Sequence, residues 1–226
     1  MMQRVSPCLI ALALGGVLLA PSAGARSHKH KPKPPADFAY YMLVLSYAPD
    51  FCDQSGVPKD PRECGTGRHV GFVVHGLWPQ GESARGPENC GSASPVSNAI
   101  VQATLSYIPT ESLIQHEWKA HGSCSGLSAA DYFAALRKAR DSITLPPELN
   151  QPSETLHLSP GEIETKVAGA NPGLPAESVR TSCYRGGELQ EVRICFDKDL
   201  AHLTPRACGP SAGECSGTSE TMLPVQ

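Results

Sequence analysis

Two segments of the chain combine histidine, glycine and tryptophan in a way that could support proton transfer. They are residues 72–80 (FVVHGLWPQ) and 116–124 (HEWKAHGSC), and together they hold the only two tryptophans in the sequence. Imidazole changes its charge near neutral pH, so a neutral and a protonated histidine in one site can serve as general base and general acid. His75 and His121, each followed by glycine, are the candidates. Considered separately, each is more typical of a hydrogen-bonded bystander than of a catalyst.

The second segment partly matches the helical zinc-binding pattern, in which two histidines four residues apart flank a glutamate. His116 and His121 are five residues apart, which places them roughly 140° apart around a helix, so they cannot easily chelate one ion. Glu117 and His121 are four apart and share a helical face, as suits a carboxylate beside a catalytic imidazole. A structural zinc site that includes Cys124 is an alternative, as is a hydrolase that uses the histidines as metal ligands. We expect neither a metal nor another cofactor.

Hydrophobic patterning predicts the elements that must hold these residues. Strands are predicted at 38–48, 70–75, 178–184 and 189–197, the last two as a hairpin, and helices at 97–107, 110–121, 128–142 and 159–168. Thr110, Ser128 and Ser159 are expected to cap the last three helices. Because the 70–75 strand stops at Gly76, His75 is expected at a strand end, where its side chain can leave the core. The irregular mixture indicates an α+β fold, with a central antiparallel sheet packed with several helices.

The N-terminal residues 1–25 are typical of a signal peptide, with Arg4 ahead of an apolar run at 8–20 and small residues at 23–25. A membrane anchor is the alternative, but the run is shorter than the roughly 20 residues that span a bilayer. Residues 26–36 are basic and proline-rich and are expected to form a disordered leader, followed by a catalytic domain at 37–226. We therefore expect a secreted or periplasmic monomer that is not held at a membrane after signal removal.

The cysteines predict a disulfide framework. Nine cysteines occur in the chain, and Cys8 falls within the predicted signal peptide. The other eight are expected to form four disulfides, as is typical of an exported protein: Cys52, Cys64, Cys90, Cys124, Cys183, Cys195, Cys208 and Cys215. In the predicted hairpin Cys183 faces Gln190 rather than Cys195, so a direct bridge between these two cysteines would be strained. Partners in the C-terminal tail, Cys208 and Cys215, are favoured.

Taken together, the two histidine segments closely resemble the two active-site blocks of the ribonuclease T2 family. Those blocks are a strand that ends in His-Gly-Leu-Trp-Pro and a segment that reads His-Glu-Trp-x-Lys-His-Gly-x-Cys. The resemblance also includes residues 45–52 (LSYAPDFC) and 189–197 (LQEVRICFD), so it covers most of 38–215. A chance match of both blocks, in the right order and at the right separation, is very improbable.

The resemblance implies a metal-independent endoribonuclease. Such an enzyme cleaves single-stranded RNA by transesterification to a 2′,3′-cyclic phosphate, which it then hydrolyses to a 3′-phosphate, with low base specificity. DNA lacks the 2′-hydroxyl nucleophile and should survive. The net charge of −3 argues against a protein that coats nucleic acid through a strong positive field, but it is compatible with a local site. A non-catalytic binding protein of the same fold is the main alternative, and the two intact histidines argue against it.

The resemblance also implies the catalytic roles. It assigns the acid–base pair to His75 and His121 and a supporting carboxylate to Glu117. It favours His121 as the base and His75 as the acid, although the sequence alone does not decide the order. One position departs from the family pattern, because Ala120 stands where lysine often precedes the second histidine. A cation there would stabilise charge on phosphorus, so its loss affects the expected rate more than the reaction type. His116, an arginine from elsewhere or backbone N–H groups are the possible substitutes.

Substrate contacts and disulfide pairs follow from the same resemblance. The residues expected to contact RNA, by stacking under its bases or by binding phosphate, are His116, Trp78, Trp118, Tyr47 and Phe51, although core packing is expected to claim at least one aromatic. The implied pairs are Cys90–Cys124, Cys183–Cys215 and Cys195–Cys208, which leaves Cys52–Cys64. Arg180, Arg185 and Arg193 are interpreted as solvated strand positions rather than phosphate ligands.

Overall fold

The computed structural model describes residues 36–225 apart from 58, 84, 211–214, 216 and 218. The predicted signal peptide, 1–25, lies outside the described residues, as does all of the predicted leader except its last residue. None of the helices within the described part of the chain is long and apolar enough to cross a membrane.

A four-stranded antiparallel sheet forms the centre of the fold. The strands of the described residues are β1 (Tyr40–Tyr47), β2 (Phe72–Gln80), β3 (Leu156–Leu158), β4 (Val179–Cys183), β5 (Leu189–Asp197) and β6 (Glu220–Met222). The main sheet has the order β2-β1-β5-β4, and β3 and β6 pair in a second, small sheet. The predicted α+β class with a central antiparallel sheet is confirmed.

The four predicted helices are present, together with shorter ones that the hydrophobic pattern did not reveal. The α-helices of the described residues are α1 (Ala48–Asp53), α2 (Pro61–Cys64), α3 (Asn98–Thr104), α4 (Glu111–Ala120), α5 (Ala129–Asp141), α6 (Pro147–Asn150) and α7 (Pro160–Gly169). The side chains of Thr110, Ser128 and Ser159 accept hydrogen bonds from backbone N–H groups in the first turns of α4, α5 and α7. These bonds satisfy donors that a helix leaves unpaired at its start, so the three predicted caps are confirmed.

The two faces of the sheet have different partners. Along β1, Tyr41, Leu43 and Leu45 belong to the main hydrophobic core, whereas Met42 and Val44 pack on the opposite face with Cys195 and Trp78. This alternation follows from the two-residue period of a strand. The helices lie against the first face, so the second face is where polar side chains can collect.

His75 lies inside β2 rather than at its end, which corrects the prediction from sequence. The register pairs Val44 of β1 with Gly76 and Leu45 with Val74, so His75 is an extra residue in a β-bulge. The strand continues past Gly76 because residues 76–80 pair with 40–44 of β1, and this ladder overrides the tendency of glycine to end a strand. Val74 and Leu77 both enter the main core. The bulge therefore turns His75 and Gly76 together toward the opposite face.

Among the described residues, four disulfides join the three pairs implied by the resemblance and the pair that these leave over: Cys90–Cys124, Cys183–Cys215, Cys195–Cys208 and Cys52–Cys64. In the β4–β5 hairpin Ser182 faces Glu191, and a register shift then places Cys183 opposite Leu189 rather than Gln190. As predicted, Cys183 does not face Cys195, and both cysteines bond to the C-terminal tail. The Cys90–Cys124 bridge attaches the loop after β2 to the segment that follows α4. It therefore links the chain just after the first histidine segment to the end of the second.

Candidate active site

His75 lies between two buried carboxylates. Its Nδ1 is 2.7 Å from Oε1 of Glu191, and its Nε2 is 3.6 Å from Oε1 of Glu117. Burial by itself lowers the pKa of His75, but the hydrogen bond to Glu191 and the negative charges of Glu117 and Glu191 outweigh it and raise the pKa above the ordinary value. His75 therefore favours its protonated form, which is the form that can donate a proton.

Glu117 is fully buried on the face of α4 that covers β2. Its Oε2 accepts a hydrogen bond of 2.8 Å from Nε1 of Trp78. Burial raises the pKa of Glu117 to about 7, although the charge of His75 and the bond from Trp78 oppose the rise. A Cβ atom at position 76 would collide with Glu117 Oε2 and Trp78 Nε1. Glycine is therefore required after His75, because these two side chains approach the backbone closely.

His121 caps the C-terminal end of α4 and is 7% exposed. Its ring stacks on Trp78, with centroids 4.7 Å apart and planes inclined by 23°. The same indole meets the ring of His75 edge-on at 5.1 Å. Burial lowers the pKa of His121 to about 4, and the positive charges of His75 and His116 add to that effect. Between about pH 4 and the pKa of His75, His121 is therefore neutral while His75 is charged.

The structure thus brings together four residues predicted to act in the site: His75, Trp78, Glu117 and His121. One imidazole favours the charged form, the other favours the neutral form, and a single indole touches both. Opposite displacement of two pKa values is the arrangement that general acid–base catalysis needs, because each group starts in the form its role requires.

Tyr47 is wrongly predicted as a substrate contact. It has no exposed surface, its ring packs against Phe72 at 4.9 Å, and its hydroxyl donates a 2.6 Å hydrogen bond to the carbonyl of Leu223. The reason is that β1 is an inner strand with both faces covered, so an aromatic residue on the core side cannot reach a base. Core packing was expected for at least one of these aromatics, and Tyr47 is that residue.

The other proposed contacts have varied surroundings. Trp118 packs on Tyr132 and donates its indole N–H to the carbonyl of Ser94. These contacts hold the loop that precedes α3. His116 is exposed, and its charge acts on His121. Phe51 is half-buried. A role for His116, Phe51, Trp78 and Trp118 in binding RNA remains a prediction.

Two residues of the site were missed by the sequence analysis. Glu191 is 2% exposed and lies against His75. Arg193, interpreted from the sequence as solvated, has a side chain only 15% exposed and donates from Nε (2.9 Å) and a terminal nitrogen (2.6 Å) to Oε2 of Glu191. Its guanidinium carbon is also 5.9 Å from the centre of the Trp78 ring. The strand period shows that residues 191, 193 and 195 share the face opposite the core, but it does not show that this face holds the site.

Ala120 is 5% exposed, so the position that carries lysine in the family pattern faces protein here. Arg193 supplies a cation beside Trp78 from β5. This arginine comes from β5 and is paired with Glu191. The lysine of the family pattern would instead come from α4.

The comparisons with known proteins agree with this geometry. Residues 38–215 match the sequence pattern described as the ribonuclease T2 family. The chain belongs to that family. Membership places it among the endoribonucleases.

Two bacterial relatives are similar over much of the chain. A ribonuclease of Aeromonas hydrophila is 33% identical over 205 residues, which is 83% of this chain and 84% of the relative. A probable ribonuclease of Haemophilus influenzae is 36% identical over 178 residues. That alignment covers 74% of this chain but only 60% of the Haemophilus protein, so the present chain spans a little over half of that relative.

Solved structures show the same fold at lower identity. An RNase-related protein from Calystegia sepium aligns with a TM-score of 0.65 at 19% identity and covers 84% of this chain and 99% of its own. A ribonuclease MC1 variant in complex with 5′-UMP aligns with a TM-score of 0.61 at 21% identity, over 82% of this chain and 98% of its own. The prediction of the family and of the fold is confirmed.

Proposed function

We propose that this protein cleaves single-stranded RNA by transesterification to a 2′,3′-cyclic phosphate and then hydrolyses that product to a 3′-phosphate, without a metal. The observation that carries the proposal is the pair of histidines on either side of Trp78, with the pKa of His75 raised and that of His121 lowered to about 4. Two imidazoles in complementary forms can fill both proton-transfer roles, so the chemistry needs no bound cofactor.

In the first step, neutral His121 takes the proton of the 2′-hydroxyl as its oxygen attacks phosphorus. Protonated His75 gives its proton to the 5′-oxygen as the bond from phosphorus to that oxygen breaks. Nδ1 of His121 is buried and has no hydrogen-bond partner among the described residues, so Nε2 is the nitrogen that can meet the ribose. In the second step, His75 takes a proton from water and His121 protonates the departing 2′-oxygen.

Glu117 acts on His75 through its charge. Its Oε1 makes no hydrogen bond within the described part of the protein and points toward Nε2 of His75 at 3.6 Å. The charged carboxylate favours protonated His75, and because the pKa of Glu117 itself is about 7, this support weakens as pH falls below that value. Glu117 therefore supports His75 as the general acid.

The remaining parts of the proposal concern substrate and location. Bases stack on half-buried aromatic side chains such as Trp78 and Phe51, a mode that tolerates sequence. DNA is not cleaved because it lacks the 2′-hydroxyl. The protein is exported, to the periplasm or the medium, as the predicted signal peptide and disulfides suggest, and it acts as a monomer.

The test is product analysis on an RNA dinucleotide in the presence of EDTA. We expect a cyclic phosphate followed by the 3′-phosphate, and no cleavage of the matching DNA. His75→Ala and His121→Ala should each abolish the cyclic product, while His157→Ala, at an exposed position, serves as the matched control. Loss of wild-type activity in EDTA would favour the metal-dependent alternative. Binding of RNA with no cleavage at any pH would favour the non-catalytic one.

A further inference from the structure

We propose that Glu191 is a positioning residue for the general acid: it holds the proton on Nδ1 of His75 and so directs Nε2 to the substrate. Arg193 fixes this carboxylate and moderates its effect on the histidine. The inference rests on the proposed function, because it concerns how the acid of that mechanism is oriented.

The geometry makes Glu191 a rigid partner. Its Oε1 lies 2.7 Å from Nδ1 of His75, and its Oε2 accepts two hydrogen bonds from Arg193 and one of 3.3 Å from the hydroxyl of Ser182. Both carboxylate oxygens are therefore engaged, and the residue is 2% exposed. Because Oε2 is bound to Arg193 and Ser182 while Oε1 is bound to His75, the carboxylate has little freedom to rotate, so the position of the histidine ring is determined by the sheet.

The fold brings the three side chains together by register rather than by sequence. Glu191 and Arg193 project from the same face of β5, and Ser46 and Val44 of β1 separate them from β2. Only the bulge at His75 turns that side chain to the same face, where it can reach across β1. A carboxylate that is placed behind an imidazole in this way selects the tautomer and stabilises the charged ring.

The role has a chemical consequence for both steps of the reaction. With Nδ1 bonded to Glu191, the neutral ring carries its proton on Nδ1 and presents the Nε2 lone pair. The charged ring presents Nε2–H. The same nitrogen therefore gives its proton to the 5′-oxygen in transesterification and recovers a proton from water in hydrolysis, without rotation of the ring.

The charges around His75 predict the direction in which each substitution should shift its protonation. Glu191 and Glu117 favour the protonated ring, whereas Arg193 disfavours it. Glu63 of α2 also interacts with the charge of His75, as does His121 at the end of α4. Removal of Glu191 should weaken the hold of His75 on its proton, while removal of Arg193 should strengthen it.

The experiment compares pH profiles of kcat/KM for an RNA substrate in EDTA. In Glu191→Gln the alkaline limb, which reports loss of the proton from the acid, should move to lower pH by about one unit or more. Activity above that limb should consequently fall about tenfold or more. In Arg193→Gln the limb should move to higher pH. Glu148→Gln, the same change at a side chain that is 56% exposed, should leave the profile unchanged.

A purely structural role for Glu191 would lower activity without moving the limb, and that result would overturn the inference. Shifts of both variants in the same direction would also overturn it. Nitrogen NMR of wild-type His75 gives a readout that needs neither activity nor folding of a variant: we expect the Nδ1–H tautomer for the neutral ring, and the Nε2–H tautomer would contradict the inference. Absence of a cyclic product from the wild type would instead refute the proposed function.

Discussion

The substitution Gly76→Ala tests how the two histidine segments are packed against each other. Gly76 lies under the hydrogen bond from Trp78 Nε1 to Glu117 Oε2, and an added Cβ would collide with both of these atoms. The carboxylate cannot move aside easily because Glu117 is fully buried on α4. We therefore expect the methyl group to break or displace that hydrogen bond and to shift Trp78 relative to the histidines.

The magnitude follows from two contributions. Forcing an extra methyl into a packed site costs about 1–3 kcal/mol, and leaving a buried carboxyl oxygen without its donor costs about 1–3 kcal/mol. The two overlap, since one movement causes both, so we expect the free energy of unfolding to fall by about 2–4 kcal/mol. A displacement of about 1 Å at the reacting groups lowers rate by about 100-fold, which sets the expected loss of kcat/KM.

The assay combines urea unfolding of the oxidised protein with kcat/KM on an RNA substrate. Gly161→Ala is the matched control: a Cβ there meets no atom within 4 Å, and the residue lies in the first turn of α7. That variant should keep full activity and a stability equal to or slightly above that of the wild type. If Gly76→Ala retained wild-type stability and rate, the close approach of Glu117 and Trp78 over this glycine would be refuted.

Three further predictions concern the donor to Glu117, the buried acids and the bridge between segments. Trp78→Phe keeps a ring but removes the donor to Glu117, so stability should fall by about 1–3 kcal/mol in urea unfolding, and an unchanged midpoint would contradict this. Burial raises the pKa of Asp50 to about 7, so the stability that Asp50 contributes is fully present below its ordinary pKa and is lost as pH rises toward 7, by up to about 4 kcal/mol. Asp50→Asn should flatten that dependence in unfolding curves measured from pH 4 to 8, and an equally steep curve would refute the assignment. Replacing Cys90 and Cys124 with alanine should cost about 2–4 kcal/mol and reduce activity, and a double variant as active and stable as the wild type would show that the bridge is dispensable.

Features that depend on local sequence were predictable. The caps at Thr110, Ser128 and Ser159 need only a side chain and the next turn of backbone, and all three form. The hairpin of β4 and β5 follows from alternation on either side of a glycine turn, and it led correctly to the exclusion of a bridge between Cys183 and Cys195.

Features that depend on contacts between distant segments were not predictable from one chain. The bulge at His75 exists because β2 pairs with β1 on both sides of it, and no local signal in residues 70–80 shows this. Glu191 and Arg193 look like surface residues until β5 is placed next to β1, with the bulged histidine on the same face. Tyr47 was misassigned for a related reason, because the C-terminal segment around Leu223 covers it.

The central claim is that one sheet and one helix place two histidines in opposite protonation states around Trp78. The direct measurement is an NMR titration of the imidazole resonances of His75 and His121 in the intact, oxidised protein. We expect the pKa of His75 above its ordinary value and the pKa of His121 well below it, near 4. Equal pKa values, or a pKa for His121 above that for His75, would contradict the assignment of His75 as acid and His121 as base.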